Sequence, residues 1–209
     1  MKKILTVTIF CLALICSQNL VAQKGKWGAG LRLGDPTGVS IKKYGGKTNL
    51  EFNIGRTYYL YKYGYKYGYE SGFYKYGKFD DKNIYVYNRY DALAAPIAVQ
   101  LHFMKQKAIK DVKGLDWYIG VGPQFRDQRV RYFYSVKEYY GPGKDDYRWR
   151  NTDEVVNRID FGVDGVIGME YNFDDVPLSI AADATLFMEL FDAPFLPWGQ
   201  AGVAIRYNF

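Results

Sequence analysis

Thiols are scarce in this chain of 209 residues: its two cysteines, Cys11 and Cys16, both fall in the opening stretch MKKILTVTIFCLALICSQNLVAQ. Lys2 and Lys3 precede an apolar run over 4–16, and the small Ala22 stands before Gln23. That is the pattern of an export signal over 1–22, cut after Ala22. A single membrane anchor would need about 20 apolar residues, and this run is shorter. Nor does Cys16 follow the small residue of a lipoprotein signal, since Ile15 stands there. The expected mature chain, 23–209, is free of cysteine, which excludes disulfides, thiol nucleophiles and cysteine-held metals.

Histidine is nearly as scarce. His102 is alone, so chemistry that leans on a histidine base has one candidate, and no His-x-Ser pair accompanies it. No glycine-rich phosphate loop and no EF-hand spacing occurs, and Gly-Asp-Pro-Thr-Gly at 34–38 reads as a hairpin turn. No cofactor and no metal is expected. Neither sign of charge dominates: 28 basic residues face 22 acidic ones, and the signal removes two of the lysines. A mildly basic, exported chain is a poor match for nucleic acid. Beyond the signal, a convincing amphipathic helix pattern is absent as well.

Aromatic residues are abundant, 18% of the chain with 21 tyrosines, and apolar and polar residues alternate with period two between turn signals. Eight strands are expected, over 27–33, 39–44, 49–59, 92–103, 117–126, 156–173, 178–190 and 198–209. In the sixth, Ile159, Phe161, Val163, Ile167, Met169 and Tyr171 share one face, while Asp160, Gly162, Asp164, Gly168 and Glu170 share the other. Runs of about ten residues with one apolar face suit a tilted strand that crosses a bilayer. A soluble sandwich or lipocalin-like barrel gives the same period with its apolar face inward. Two features favour apolar-outward. Trp27, Phe103, Trp117, Tyr171, Phe173, Tyr207 and Phe209 fall at strand ends that an up-and-down topology puts on one side, as an interfacial girdle does. The long connections, 60–91 and 127–155, fall together on the other side, opposite the short turns at 45–47 and 174–177 and one longer turn at 105–116.

A third feature is the ending Ala-Ile-Arg-Tyr-Asn-Phe. With the export signal and eight alternating strands, it resembles the small outer-membrane β-barrels of the OmpA/OmpX type over 27–209. The resemblance implies an all-β fold: an eight-stranded antiparallel up-and-down transmembrane β-barrel with two long extracellular loops, set in the lipid of the outer membrane of a gram-negative cell. It also implies that Val203, Ile205, Tyr207 and Phe209 form a recognition signal for the barrel-insertion machinery. A peptidoglycan-binding domain of the OmpA kind is not expected after Phe209.

The interior of eight strands is about wide enough for side chains to fill. Polar parity would bring Arg32, Lys42, Arg126 and Arg206 together with Glu51, Asp160, Asp164, Glu170, Asp183 and Glu189. Mixed signs point to a salt-bridged plug, because an unpaired buried charge is costly. Gly120, Gly122, Gly162, Gly168 and Gly202 would make room for the long bases. His102 has the same parity and reads as a lumen or girdle residue, not a catalytic one. In the stretch YYLYKYGYKYGYESGFYKYGKFDD, Tyr61, Tyr63, Tyr65, Tyr67 and Tyr69 hold one parity, with Lys62 and Lys66 on the other. This segment is expected to extend the third strand as a hairpin. Together with Tyr139, Tyr140 and Trp149 of the second loop, it would offer a contact surface for a surface glycan or protein partner. Ring pairing with Tyr85 and Tyr87 would stiffen it. The expected function is that of a structural and interaction barrel. The alternative is a barrel with a partly open lumen that binds or transports a small solute, and a lipid-modifying enzyme of the outer membrane stands third.

Overall fold

A computed structural model of the chain describes residues 26–57, 73–74, 83–92, 96–139, 141, 147–191, 195 and 197–209. The export signal and Tyr61, Tyr63, Tyr65, Tyr67, Tyr69, Lys62 and Lys66 lie outside the described residues. Among the described residues nine strands follow in order: β1 Trp27–Gly34, β2 Thr37–Lys43, β3 Asn49–Arg56, β4 Ile84–Ala92, β5 Ile97–Ala108, β6 Leu115–Tyr139, β7 Tyr147–Asn172, β8 Leu178–Glu189 and β9 Pro197–Asn208. Eight of them close a ring of antiparallel ladders, in the order β1, β2, β3, β5, β6, β7, β8, β9 and back to β1. β4 stands outside that ring and pairs with β6 between Val130 and Lys137, beyond the point where β5 leaves β6 at Asp127.

The wall is inverted relative to a water-soluble barrel. Along β8 the odd residues Ser179, Ala181, Asp183, Thr185, Phe187 and Glu189 are buried, while the even ones, Leu178 to Met188, are exposed. The same exposed stripe runs through Leu31, Ile54, Phe103, Ile119, Val121, Ile159, Ile167, Met169, Val203 and Ile205. Inside, the largest fully buried side chains are Arg32, Arg158 and Arg206. One end of the barrel, here the near end, gathers Trp27 and Phe209 with the short turns over 44–48, 109–114 and 173–177. Trp27, Trp117, Tyr171, Phe173 and Phe209 are exposed around it.

Several expected boundaries move, each for a local reason. The third strand is described to Arg56, after which the Thr57 N–H donates to the Pro96 carbonyl at 2.9 Å, and positions 58 and 59 of the expected strand lie outside the described residues. The fourth barrel strand runs Ile97–Ala108 instead of 92–103, because Pro96 has no N–H to give a ladder and Ala92 belongs to β4. Its extra length shortens the expected turn at 105–116, since Lys105 pairs with Ile119 and Ala108 with Asp116. The largest correction concerns 127–155. Most of that expected loop is a ladder of β6 and β7, continuous from Asp127↔Ile159 to Tyr139↔Tyr147, and it projects from the far end of the barrel.

Ring closure brings backbones close at the seam of β1 and β9. A Cβ on Gly30 would run into the carbonyl oxygen of Ile205 there, whereas one on Gly165, on the outer face of β7, would meet nothing within 4 Å. Gly30→Val is expected to lower stability by about 1–3 kcal/mol, and Gly165→Ala to leave it unchanged. Urea unfolding in detergent micelles, followed by tryptophan fluorescence, separates the two.

Candidate functional site: a packed polar lumen and a far-end sheet

Period-two parity aims one side chain in two from each strand at the barrel axis, and with eight strands these meet across the centre. The lumen fills in tiers. At the near end Asn49 donates to Gln106 at 2.7 Å, and Gln106 to Asp116 at 2.9 Å. Above them Arg206 bridges Glu170 at 2.9 Å and Glu51 at 2.6 Å, donates its Nε to Ser40 at 2.9 Å, and shares Glu170 with Lys42 at 2.8 Å. Next, Arg32 makes a two-pronged contact with Asp183, both distances 2.6 Å, and the Tyr118 hydroxyl donates to the same carboxylate at 3.1 Å. A middle tier sets His102 Nε2 3.0 Å from Asp164 Oδ2. Gln124, its amide nitrogen turned to Asp164, donates there at 2.8 Å and to Gln200 at 2.9 Å. Farther out Arg126 and Arg158 flank Asp160 at 3.5 and 3.7 Å. Glu189 is fully buried near that end.

Glycine makes this packing fit. A Cβ at Gly202 would stand 2.5 Å from Arg32 Cζ, and one at Gly168 2.5 Å from Tyr118 Cζ. At the near mouth a cavity of about 530 Å³ is lined by Asn49, Gln106, Asp116, Asn172 and Asn208, among others. Beside it Asp174 lies 3.0 Å from Lys113 and raises that ammonium's pKa above its ordinary value. Both groups are exposed, so the pair adds little to stability.

The far end is built differently. β4, β6 and β7 form a three-stranded sheet whose inner face carries Val130, Tyr132, Tyr134 and Val136, packed with Phe73 and Phe187. Tyr85, Tyr87 and Tyr90 of β4 stand beside them on the same face and pack against the cluster. Phe73 sits 5.2 Å from the Tyr134 ring, 5.6 Å from Tyr132 and 5.5 Å from Tyr87. The Arg126 guanidinium lies 4.3 Å from the Phe187 ring, so the aromatic cap rests directly on the charged lumen.

Of the residues singled out in the sequence, Arg32, Glu51, Glu170, Asp183 and Arg206 come together in two adjacent tiers, with Asp164, Arg126 and Asp160 farther along the axis. Trp149 is placed on a strand and not in a loop: it lies exposed on β7, opposite Lys137. The backbone of Tyr139 ends β6, and Tyr140 is outside the described residues. Val203, Ile205 and Phe209 are exposed on one face, with Tyr207 half-buried among them. Arg158 and Tyr118 are lumen residues that the sequence reading passed over. Each has the parity that would have flagged it, Arg158 with Asp160 and Tyr118 with Gly120.

No protein-family model and no curated protein matches the chain. Among solved structures it is similar to the N-terminal β-barrel domain of Pseudomonas aeruginosa OprF, at 12% identity and a TM-score of 0.48, over 88% of this chain and 95% of that one.

Arg32 and Asp183 hold one another deep in the lumen. Arg32→Met should cost about 3–5 kcal/mol by leaving the carboxylate uncompensated, and adding Asp183→Leu should restore most of the loss, because an apolar pair removes both charges at once. Equilibrium urea unfolding in phospholipid vesicles reads the cycle.

Proposed function

We propose that the chain is an integral outer-membrane β-barrel protein with a structural and interaction role, the barrel serving as a sealed anchor and the far-end sheet as the part that meets a surface partner. The observation that carries this reading is the inverted partition. Exposed Leu31, Ile119, Val121, Ile167, Val203 and Ile205 girdle a wall whose interior holds buried Arg32, Lys42, Glu51, Glu170 and Arg206. In water that arrangement would expose its apolar area and bury its charges, while in lipid it satisfies both. Ring closure fits the same solvent, since lipid offers backbone N–H and C=O groups no partner.

A change of phase along β6 supports the assignment of ends. Up to Arg126 the outward residues are apolar and the inward ones polar; from Val130 onward the inward residues Val130, Tyr132, Tyr134 and Val136 are apolar, and Arg131, Ser135 and Lys137 face out. The outer solvent changes from lipid to water at that point, so the far-end sheet stands clear of the membrane. On this reading the near end faces the periplasm, which agrees with entry of the chain through an export signal.

The paired lumen favours an anchor over a conduit, and His102, 1% exposed and held by Asp164, is read as part of the packing instead of a base open to substrate. The folded protein should stay with membranes through carbonate extraction and migrate faster in SDS gels before boiling than after. Release by carbonate without detergent would rule the membrane reading out. In planar bilayers the protein should give no steady conductance; a stable ion-selective channel would put the transport reading first. For the partner role, replacing Tyr63, Tyr65 and Tyr67 by Ser should leave heat-dependent migration intact and weaken attachment to surface glycan or protein, scored by binding of the folded variant.

A further inference from the structure

The outward face of the far-end sheet carries a groove outside the lumen, bordered at its floor by Tyr134 of the cap. We propose that it binds a saccharide, and that the ligand is the anionic sugar headgroup of a glycolipid in the leaflet surrounding the barrel; the inference rests on the membrane reading above. Its lining includes Asn88, Arg89, Phe133, Asn151, Thr152 and Asp153, around about 300 Å³. That is the lower end of the range for small-molecule sites.

Three features build it. The register of β4 against β6 slips between Tyr87 and Arg89, so Asn88 is an extra residue in the ladder. As a result Asn88 and Arg89 are both exposed in succession, while Tyr87 and Tyr90 turn inward to the cap. A bulge of this kind re-aims a side chain at a chosen place. Second, a hydrogen-bond relay crosses the sheet: Asn88 Nδ2 donates to Ser135 Oγ at 2.9 Å, and Ser135 Oγ donates to Asn151 Oδ1 at 2.8 Å. Each amide is fixed by one end, which leaves Asn88 Oδ1 as an acceptor and Asn151 Nδ2 as a donor, the complement of a pair of sugar hydroxyls. Third, the Arg89 guanidinium lies 4.3 Å from the Phe133 ring and has no carboxylate partner among the described residues. It is a held cation with free N–H groups for a phosphate or carboxylate substituent. Asp153, an acid in the lining, has the Arg131 guanidinium 3.6 Å away, which offsets part of its charge.

Height selects the source of the sugar. Phe125 is the last residue of the unbroken apolar outward stripe of β6, and Asp127, Arg129, Arg131 and Phe133 follow it on the same face. At ~3.3 Å per residue and a tilt of about 40°, the two arginines stand roughly 10–15 Å above Phe125 and the groove about 20 Å above it. Apolar stripe, cations and sugar-type groove thus follow the order of acyl chains, phosphates and saccharide in a glycolipid. The groove opens sideways, toward the leaflet, on the parity that faces lipid lower down.

The test uses the full folded protein in dodecylphosphocholine micelles, with heat-dependent SDS migration measured on the same sample. It is titrated calorimetrically with rough lipopolysaccharide, with the core oligosaccharide released from it, with phosphatidylglycerol, and with alginate as a soluble acidic polysaccharide. Lipopolysaccharide and its oligosaccharide should both bind. The double variant N88A/N151A, and independently R89Q, should weaken each by about tenfold or more. Equal binding of phosphatidylglycerol, or lipopolysaccharide binding unchanged in both variants, overturns the groove. Binding of alginate without lipopolysaccharide overturns the glycolipid as its source. Absence of heat-dependent migration in the wild type counts against the membrane reading itself, which separates that failure from failure of the groove.

Discussion

The seam between β1 and β9 joins the beginning and end of the barrel, in register from Gly28↔Asn208 to Gly34↔Gly202, with Trp27 and Phe209 exchanging backbone hydrogen bonds of 3.0 and 2.8 Å beyond it. Without that ladder the remaining pairings would form an open sheet with two unpaired edges, and a wall whose outer face is apolar could not keep those edges in water. Closure therefore comes before every other property of the molecule. It fixes the strand number, the strand number fixes the width of the lumen, and the width decides which side chains can occupy it. The glycines follow from the same geometry. Gly30 is small where two backbones meet, and Gly202 is small where Arg32 must lie flat.

A closed lumen lined by one residue in two from every strand will be polar if the outer face is apolar, so charge burial is forced and not chosen. The chain meets the resulting cost by sharing acceptors and donors. Arg206 serves two carboxylates and a hydroxyl, and Glu170 serves Arg206 and Lys42. Such a tier contributes more to a unique arrangement than to stability, since buried ion pairs gain little over well-packed apolar groups but lose heavily when one partner is removed. Arginine suits the task better than lysine, because its planar fork reaches two acceptors at once, as Arg32 does with Asp183.

Within the apolar band the sequence could be read because each strand there has one environment per face. Parity alone separates Ile159, Phe161 and Val163 from Asp160, Gly162 and Asp164, and the same parity collects most of the lumen charges. It failed above the band for a physical reason. Between Arg126 and Val130 the polar and apolar faces of β6 exchange, so a reader following one phase sees the pattern break and ends the strand. Charged and aromatic residues such as Arg131, Tyr132, Phe133 and Tyr134 then look like a loop, although their backbones continue the ladder to Tyr139↔Tyr147. Arg158 was missed on the opposing strand, where it points inward beside Asp160 just before the inward face turns apolar at Val156. The bulge at Asn88 left no mark in the sequence, because an inserted residue is visible only against its partner strand.

The cap and the lumen are one continuous packing. Phe187 belongs to the aromatic cluster of the far end and carries the Arg126 guanidinium on its ring, while Arg126 in turn approaches Asp160 in the uppermost charged tier. The far-end sheet is therefore not a tether swinging above the wall. Its inner face is packed on the barrel through Val130, Tyr132 and Tyr134, and its outer face is turned to solvent. Rigidity of that kind matters for recognition by an exposed surface. A partner that docks on a preformed face loses less conformational freedom than one that must order a loop, so a modest set of polar contacts can give useful affinity. The buried charges of the lumen and the exposed polar groups of the sheet are thus linked steps of one construction: closure forces the tiers, the tiers support the cap, and the cap holds the outward face still.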